Sequence, residues 1–248
     1  MRAATGGTLL GAGLAVGAAW WAGFGPRTQL WGPFPYRAPD TAPGGPAAER
    51  VVALTFDDGP NEPWTSRLLD VLAARDVRAT FFQVGRCAER FPSVTRRVVE
   101  EGHVLGNHSL EHRFSSYADE PTQRAQVVRA QEVLHRVSGV VPGLYRPPWL
   151  CHWPWVLRTV ESAGLQVVSG TFGHPFEVAQ PSAARMAAGA AKRTRPGSIL
   201  IQHDGREARG GDRSQTVASV GPLVDRLRDQ GYTFATVDEL LGVPAYLG

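Results

Sequence analysis

Val51-Val52-Ala53-Leu54-Thr55-Phe56-Asp57-Asp58-Gly59-Pro60 runs from an apolar, β-branched stretch directly into two carboxylates and a turn. It reads as a strand that delivers acidic side chains to its C-terminal end. Outward from it, similar short runs recur over 79–84, 103–105, 143–145, 165–168, 198–202 and 233–236. Between them, residues 64–74, 87–100, 122–137, 153–163, 182–194 and 216–230 carry apolar side chains at helical spacing. Strand and helix alternating in this way, about seven times, define an α/β fold with a mostly parallel sheet closed or nearly closed into a distorted (β/α)7-type barrel. In such barrels chemistry lies beyond the C-terminal ends of the strands. Polar residues interrupt the apolar runs there: Asp57-Asp58, Asn107-His108, Arg146 and His203-Asp204.

The rest of the chain bounds the environment. Residues 49–243 form the catalytic domain in this reading, and residues 27–48, broken by Gly and Pro, form a tether. Residues 1–26 form a signal or transmembrane segment, because Ala3 to Phe24 carries no charge and is flanked by Arg2 and Arg27. The domain is therefore expected outside the cytoplasm, held to the cell membrane by an uncleaved anchor or secreted if the segment is cut. A net charge of +3 from 26 basic and 23 acidic residues, never gathered into a stripe, argues against nucleic acid as partner. Two cysteines exclude a disulfide scaffold and a Cys-rich zinc module. Cys87 follows the second strand and Cys151 follows Arg146-Pro147-Pro148-Trp149, toward the same rim of the barrel, so a disulfide between them and two free buried thiols both remain open.

Asp57 and Asp58 are adjacent, so on an extended chain they point to opposite sides and have different tasks. His108 and His112, four apart, would share one face of a helical turn and grip one ion. One carboxylate and two imidazoles suit Zn²⁺, with Fe²⁺, Co²⁺ or Ni²⁺ as alternatives, and leave room for water or substrate. That donor set points to metal-assisted hydrolysis.

Thr55-Phe56-Asp57-Asp58-Gly59-Pro60, His108-Ser109-Leu110-Glu111-His112, Arg146-Pro147-Pro148-Trp149 and Leu200-Ile201-Gln202-His203, in that order, resemble the polysaccharide deacetylases, the NodB-like carbohydrate esterases. The resemblance implies that Asp58, His108 and His112 hold the metal and that Asp57 is the general base. It makes His203 the acid that protonates the leaving amine, has Arg146 pair with Asp57 and aim it, walls the acetyl pocket with Trp149 and Ile201, and puts an oxyanion-holding backbone N–H near Pro148 or Trp149, while Phe172 or Phe176 would replace a family tryptophan as a further wall. The substrate it implies is an N-acetylated glycan, peptidoglycan first, acted on by a monomer.

One motif departs from the family. Where an Asp commonly orients the catalytic histidine, the chain reads Val168-Ser169-Gly170-Thr171-Phe172-Gly173-His174-Pro175-Phe176-Glu177. His174 and Glu177 are the candidates to stand in. A module that keeps the fold but binds glycan with weak or no turnover is the alternative this departure supports. A zinc protease is a second alternative, since residues 108–112 also spell H-x-x-E-H, a pattern that needs a long helix.

Overall fold

The structure, a computed structural model, describes residues 17–39 and 49–248. Eight strands, β1 (Val51–Asp57), β2 (Thr80–Gln83), β3 (Val104–Asn107), β4 (Leu144–Tyr145), β5 (Gln166–Val167), β6 (Thr171–Phe172), β7 (Ile199–His203) and β8 (Thr233–Phe234), pair in parallel throughout. Their order is β5-β4-β3-β2-β1-β7-β6, with β8 beside the start of β1. Strand β1 is central, and six of its seven residues are buried, as its unbroken apolar run requires.

β5 and β6 lie at opposite ends of that order, yet only Val168-Ser169-Gly170 separates them. One bent segment thus carries both margins of the sheet and curls it into an incompletely closed α/β barrel. Only glycine fits the bend: a Cβ on Gly170 would lie 2.6 Å from Ile201 Cγ1 and 2.9 Å from the Ile199 carbonyl. The sequence reading gives this segment one strand over 165–168 and misses β6. Pairing with two different neighbours splits it, a tertiary effect without a local signal.

The helices that follow β1 are α1 (Trp64–Ala73), α2 (Gly85–Arg90), α3 (Pro92–Glu100), α4 (Glu120–Ser138), α5 (Pro154–Ser162), α6 (Ala183–Arg193), α7 (Ser214–Asp229) and α8 (Val237–Leu241). The single helix expected over 87–100 is two, because Phe91, held by Pro92 at φ −129° and ψ 62°, leaves the helical region. α8 was too short for periodicity to reveal, but Thr236 and Glu239 form a capping box at its start.

The largest difference from the sequence reading is at the N-terminus. Residues 1–16, most of the expected anchor, lie outside the described residues, as do residues 40–48 of the tether. No helix among the described residues is long and apolar enough to cross a membrane. The helical residues 17–24 dock on the domain instead: Phe24 meets Trp153 edge-on at 6.4 Å, and the Gly23 carbonyl accepts a hydrogen bond from the His152 amide at 2.9 Å. Residues 27–39, expected as extended tether, are packed against the barrel. Ser169 donates from its amide to the Pro35 carbonyl and from its hydroxyl to the Pro26 carbonyl. Ala38 donates to the Gly197 carbonyl.

Phe34 explains this docking. It is fully buried, stacks on His152 at 4.5 Å and joins a core cluster with Tyr145, Val156 and Ile201. No apolar period announces it, since a lone aromatic between two prolines has none. Removing a buried Phe side chain costs about 3–5 kcal/mol. In a domain of this size that lowers Tm by on the order of 10 °C. Phe34→Ala should show that drop in a thermal melt, and a change of under about 2 °C would mean that the segment does not hold the fold together.

Candidate metal centre and active site

β1 ends on Asp57 with Asp58 next in the chain, β3 leads into His108, β4 into Arg146, and β7 ends on His203. Parallel pairing of β1 with β7, and of β3 with β4, brings all five side chains to one end of the barrel. Asp57, Asp58, His108, His112 and His203 line one cavity of about 220 Å³ there.

Asp58 Oδ1 lies 3.3 Å from His108 Nε2 and 3.0 Å from His112 Nε2. These three atoms fall within 4.8 Å of one another and are buried. The arrangement fits a divalent cation on its own evidence. His108 Nδ1 sits 2.7 Å from the Arg146 carbonyl, which takes an N–H there and leaves the Nε2 lone pair for an ion. Asp58 Oδ2 accepts the Glu207 amide at 2.8 Å, while Oδ1 has no hydrogen-bond partner. Burial alone would raise the Asp58 carboxyl, but the imidazoles of His108 and His112 more than reverse this and hold it well below the usual carboxylate range. The backbone makes room for it. Asp58 has φ 74°, and a Cβ on Gly205 would stand 2.2 Å from the Asp58 carbonyl.

His108 and His112 do not share a helical turn. Residues 108–113 form a loop, with Ser109 and His112 at positive φ and the Ser109 hydroxyl capping the His112 amide at 3.1 Å. The loop, not helical periodicity, converges the two rings. The same fact removes the protease reading: Glu111 lies 3.6 Å from Arg86 and within hydrogen-bond reach of Gln126, and is not in the cavity wall.

Asp57, as its alternation with Asp58 requires, faces elsewhere. Its Oδ1 accepts from Arg146 Nη1 at 2.7 Å. Arg146 is fully buried, donates also to Thr55 Oγ1 and the Ser169 carbonyl, and sits 4.1 Å from the Phe82 ring centroid. Four partners fix the guanidinium, and the guanidinium fixes the Asp57 carboxylate.

His203 resolves the departure in the fourth motif. Glu177, buried at 3% exposure, accepts the His203 amide on Oε1 at 2.8 Å and lies 3.1 Å from His203 Nδ1 through Oε2. Thr216 Oγ1 donates to the same Oε1 at 3.1 Å. Burial would lower the imidazole, but the charge and hydrogen bond of Glu177, with Asp58 and Asp57 behind them, raise it to about 9. His174 does not compete, since its Nδ1 accepts the Phe176 amide within its own loop.

Of the expected pocket residues, Trp149, Ile201 and Phe172 line the cavity. Pro148 does not: its carbonyl accepts the Tyr117 hydroxyl at 3.0 Å, and Pro147 stands in the wall instead. Trp149 sits at φ 53° with its ring edge-on to His112 at 4.3 Å. Sequence reasoning missed Leu150, Val178, Arg206, Glu207 and Arg213, which complete the lining. Arg213, 1% exposed, donates to the Gly205 carbonyl at 2.6 Å, and no spacing rule marks it. Cys87 and Cys151 are both free and buried, and burial pushes each thiol up to about 12, so neither is a nucleophile.

The donor set makes a direct prediction. Full-length protein should bind about one equivalent of a zinc-like ion, and Asp58→Ala or His112→Ala should lower its affinity by orders of magnitude, read by metal analysis after dialysis. Undiminished binding in both variants would place the ion elsewhere.

A family model described as polysaccharide deacetylase matches residues 44–168. A peptidoglycan-N-acetylglucosamine deacetylase of Bacillus cereus is 34% identical over 197 residues, covering 79% of this chain and 90% of the relative. A chitooligosaccharide deacetylase of Sinorhizobium fredii is 33% identical over 206 residues, covering 80% and 95%. Among solved structures, the Bc1960 peptidoglycan N-acetylglucosamine deacetylase superposes with a TM-score of 0.75 at 27% identity, covering 86% of this chain and 94% of that one.

Proposed function

The chain belongs to the polysaccharide deacetylase family, and from that premise we propose that it hydrolyses the N-acetyl groups of peptidoglycan N-acetylglucosamine. The observation that carries this reading is the separation of labour at one barrel end. Asp58, His108 and His112 converge as a ligand set, while Asp57 and His203 flank the same cavity with partners of their own. Zinc is the proposed ion, because one carboxylate and two imidazoles match its preferences. When bound, the ion supplies Lewis-acid polarisation of the acetyl carbonyl and acidifies water.

The chain's own residues do the rest. Asp57, aimed by Arg146, takes a proton from the attacking water as its oxygen bonds to the acetyl carbon. Trp149, Leu150, Ile201 and Phe172 enclose the acetyl methyl and restrict the water that enters. His203, its Nδ1 committed to Glu177, presents Nε2–H and protonates the sugar nitrogen as the C–N bond breaks. The products are acetate and a free amine. The binding-module alternative rested on a missing orienting carboxylate, and the Glu177 carboxylate 3.1 Å from His203 Nδ1 supports turnover instead.

The uncharged run Ala3–Phe24 supports a site of action outside the cytoplasm, where peptidoglycan lies. Protease added to intact cells should degrade the domain if this is so, and full protection would refute it. The activity itself is tested by acetate release from peptidoglycan and from N-acetylglucosamine oligomers with zinc-loaded, full-length protein. No release from either, with the ion bound, would overturn the reading in favour of the glycan-binding module.

A further inference from the structure

A second cavity, of about 670 Å³, lies beside the catalytic one and differs from it in charge. Arg27, Arg185, Lys192, Arg193, Arg195 and His174 line it, and no Asp or Glu does. Its floor comes from α6, where Met186, Ala187, Ala190 and Ala191 are buried while Arg185, Lys192 and Arg193 stand exposed. Gly189 is in the wall because a Cβ there would come within 3.0 Å of the His174 ring.

The absence of acid is local. Elsewhere several surface arginines have acidic partners, Arg75 with Asp225, Arg78 with Glu239, Arg97 with Asp70 and Arg136 with Glu89. Among the described residues, none of the basic residues of this cavity is in an ion pair. Arg195 alone donates from Nη1 to backbone, at the Lys192 and Thr194 carbonyls. Five cations around one concavity repel one another and raise the local concentration of anions. Guanidinium forks match carboxylates in two-point contacts.

The wall between the two cavities is one stretch of chain, residues 171–178. Thr171, His174, Pro175 and Phe176 face the basic cavity, whereas Phe172 and Val178 face the catalytic one. Phe172, Phe176 and Val178 are 38%, 70% and 56% exposed, which leaves an apolar ridge along the top of the wall. A sugar ring can lie on such a ridge while its neighbour sits in the catalytic cavity. In peptidoglycan the neighbouring sugar bears a lactyl group extended by a peptide with free carboxylates, whereas in a chitin-like oligomer it bears none.

We propose that this basic cavity is an anion subsite for the peptide carboxylates of the glycan substrate, so that the enzyme selects peptide-bearing strands over neutral N-acetylglucosamine oligomers. The inference rests on the deacetylase reading of the neighbouring cavity and names its substrate more narrowly.

The test compares the full-length wild type with Arg185→Gln/Arg193→Gln, two exposed positions outside the catalytic cavity. Three zinc-loaded assays measure acetate release from a peptide-bearing glycan fragment, from the same fragment after an amidase has removed its peptides, and from a neutral N-acetylglucosamine oligomer. Wild type should favour the peptide-bearing fragment by about tenfold or more in kcat/KM, the size of one good charge-assisted contact. Added salt should erode that preference. The variant should lose it through KM, with the neutral oligomer hydrolysed as before. Equal efficiency on fragments with and without peptide, or a variant that keeps the preference, overturns the proposal. So does binding of poly(glycerol phosphate) that depends on Arg185 and Arg193 while peptides have no effect, since the cavity would then belong to a phosphate polymer. If no substrate releases acetate, the deacetylase reading has failed, and calorimetric binding of the fragments with and without peptide still decides whether the subsite exists.

Discussion

Asp57→Asn should lower kcat for acetate release by about 10²–10⁴-fold, the range associated with loss of a general base, while leaving metal affinity unchanged. The substitution keeps the shape of the side chain and its Oδ1 acceptor for Arg146, so the 2.7 Å contact and the buried guanidinium survive. It removes the capacity to accept a proton from water. The ligand set is untouched, because Asp58, one residue on and at φ 74°, turns its carboxylate toward His108 and His112 instead. Metal analysis and acetate release on the same protein therefore separate the two acids. Loss of the ion in Asp57→Asn would show that the adjacent carboxylates share one task. Undiminished turnover would move the base to another group in the cavity, where Glu207 is the remaining carboxylate of the lining besides Asp58.

The assignments legible in the sequence share a physical origin. Asp57, Asp58, His108, Arg146 and His203 each interrupt or end an apolar run, and a parallel sheet sends every strand's C-terminal end to the same side. Burial pattern and topology together bring them to one end of the barrel, four of them lining the cavity and Arg146 buried behind Asp57, without any knowledge of loops. What the sequence hides is set by loops and by tertiary packing. His112 reaches the ion site through a positive-φ turn rather than the helical register its spacing suggests. Glu207 and Arg213 arrive on the segment after β7, whose Gly-rich course has no period to read. Phe34 lies in a stretch that looks like tether, and only the finished barrel offers the hole it fills. Pro92 and the split of β5 from β6 mark opposite cases: the first break follows from proline's missing N–H, the second from pairing partners that no local rule specifies.

Glu177→Gln should cost about 10–100-fold in kcat with little change in KM or metal content, the range typical of residues that orient a first partner through its second nitrogen. Glu177 touches neither substrate nor ion. It is a positioning residue, and its action is read through His203. With the carboxylate in place, His203 Nδ1 is held as a donor, and its protonated form persists up to about 9 in the ion-free protein. A cation beside Asp58 cancels the part of that elevation owed to Asp58, so the working enzyme should lose activity somewhat below that point. The sign follows from the role. An acid works only while protonated, so the alkaline limb of kcat tracks His203 and falls as pH rises through its pKa. Replacing the carboxylate by a neutral amide removes the largest upward influence and leaves burial, which pushes the imidazole down. The alkaline limb should therefore move to lower pH in Glu177→Gln, whereas a merely structural lesion would lower the plateau at every pH and leave the limb in place. Glu177→Asp, which restores the charge on a shorter arm, should return the limb toward its original position. An unshifted limb in Glu177→Gln would mean that this buried carboxylate only holds the β6–α6 loop against β7, and that His203 is tuned by Asp57 and Asp58 alone.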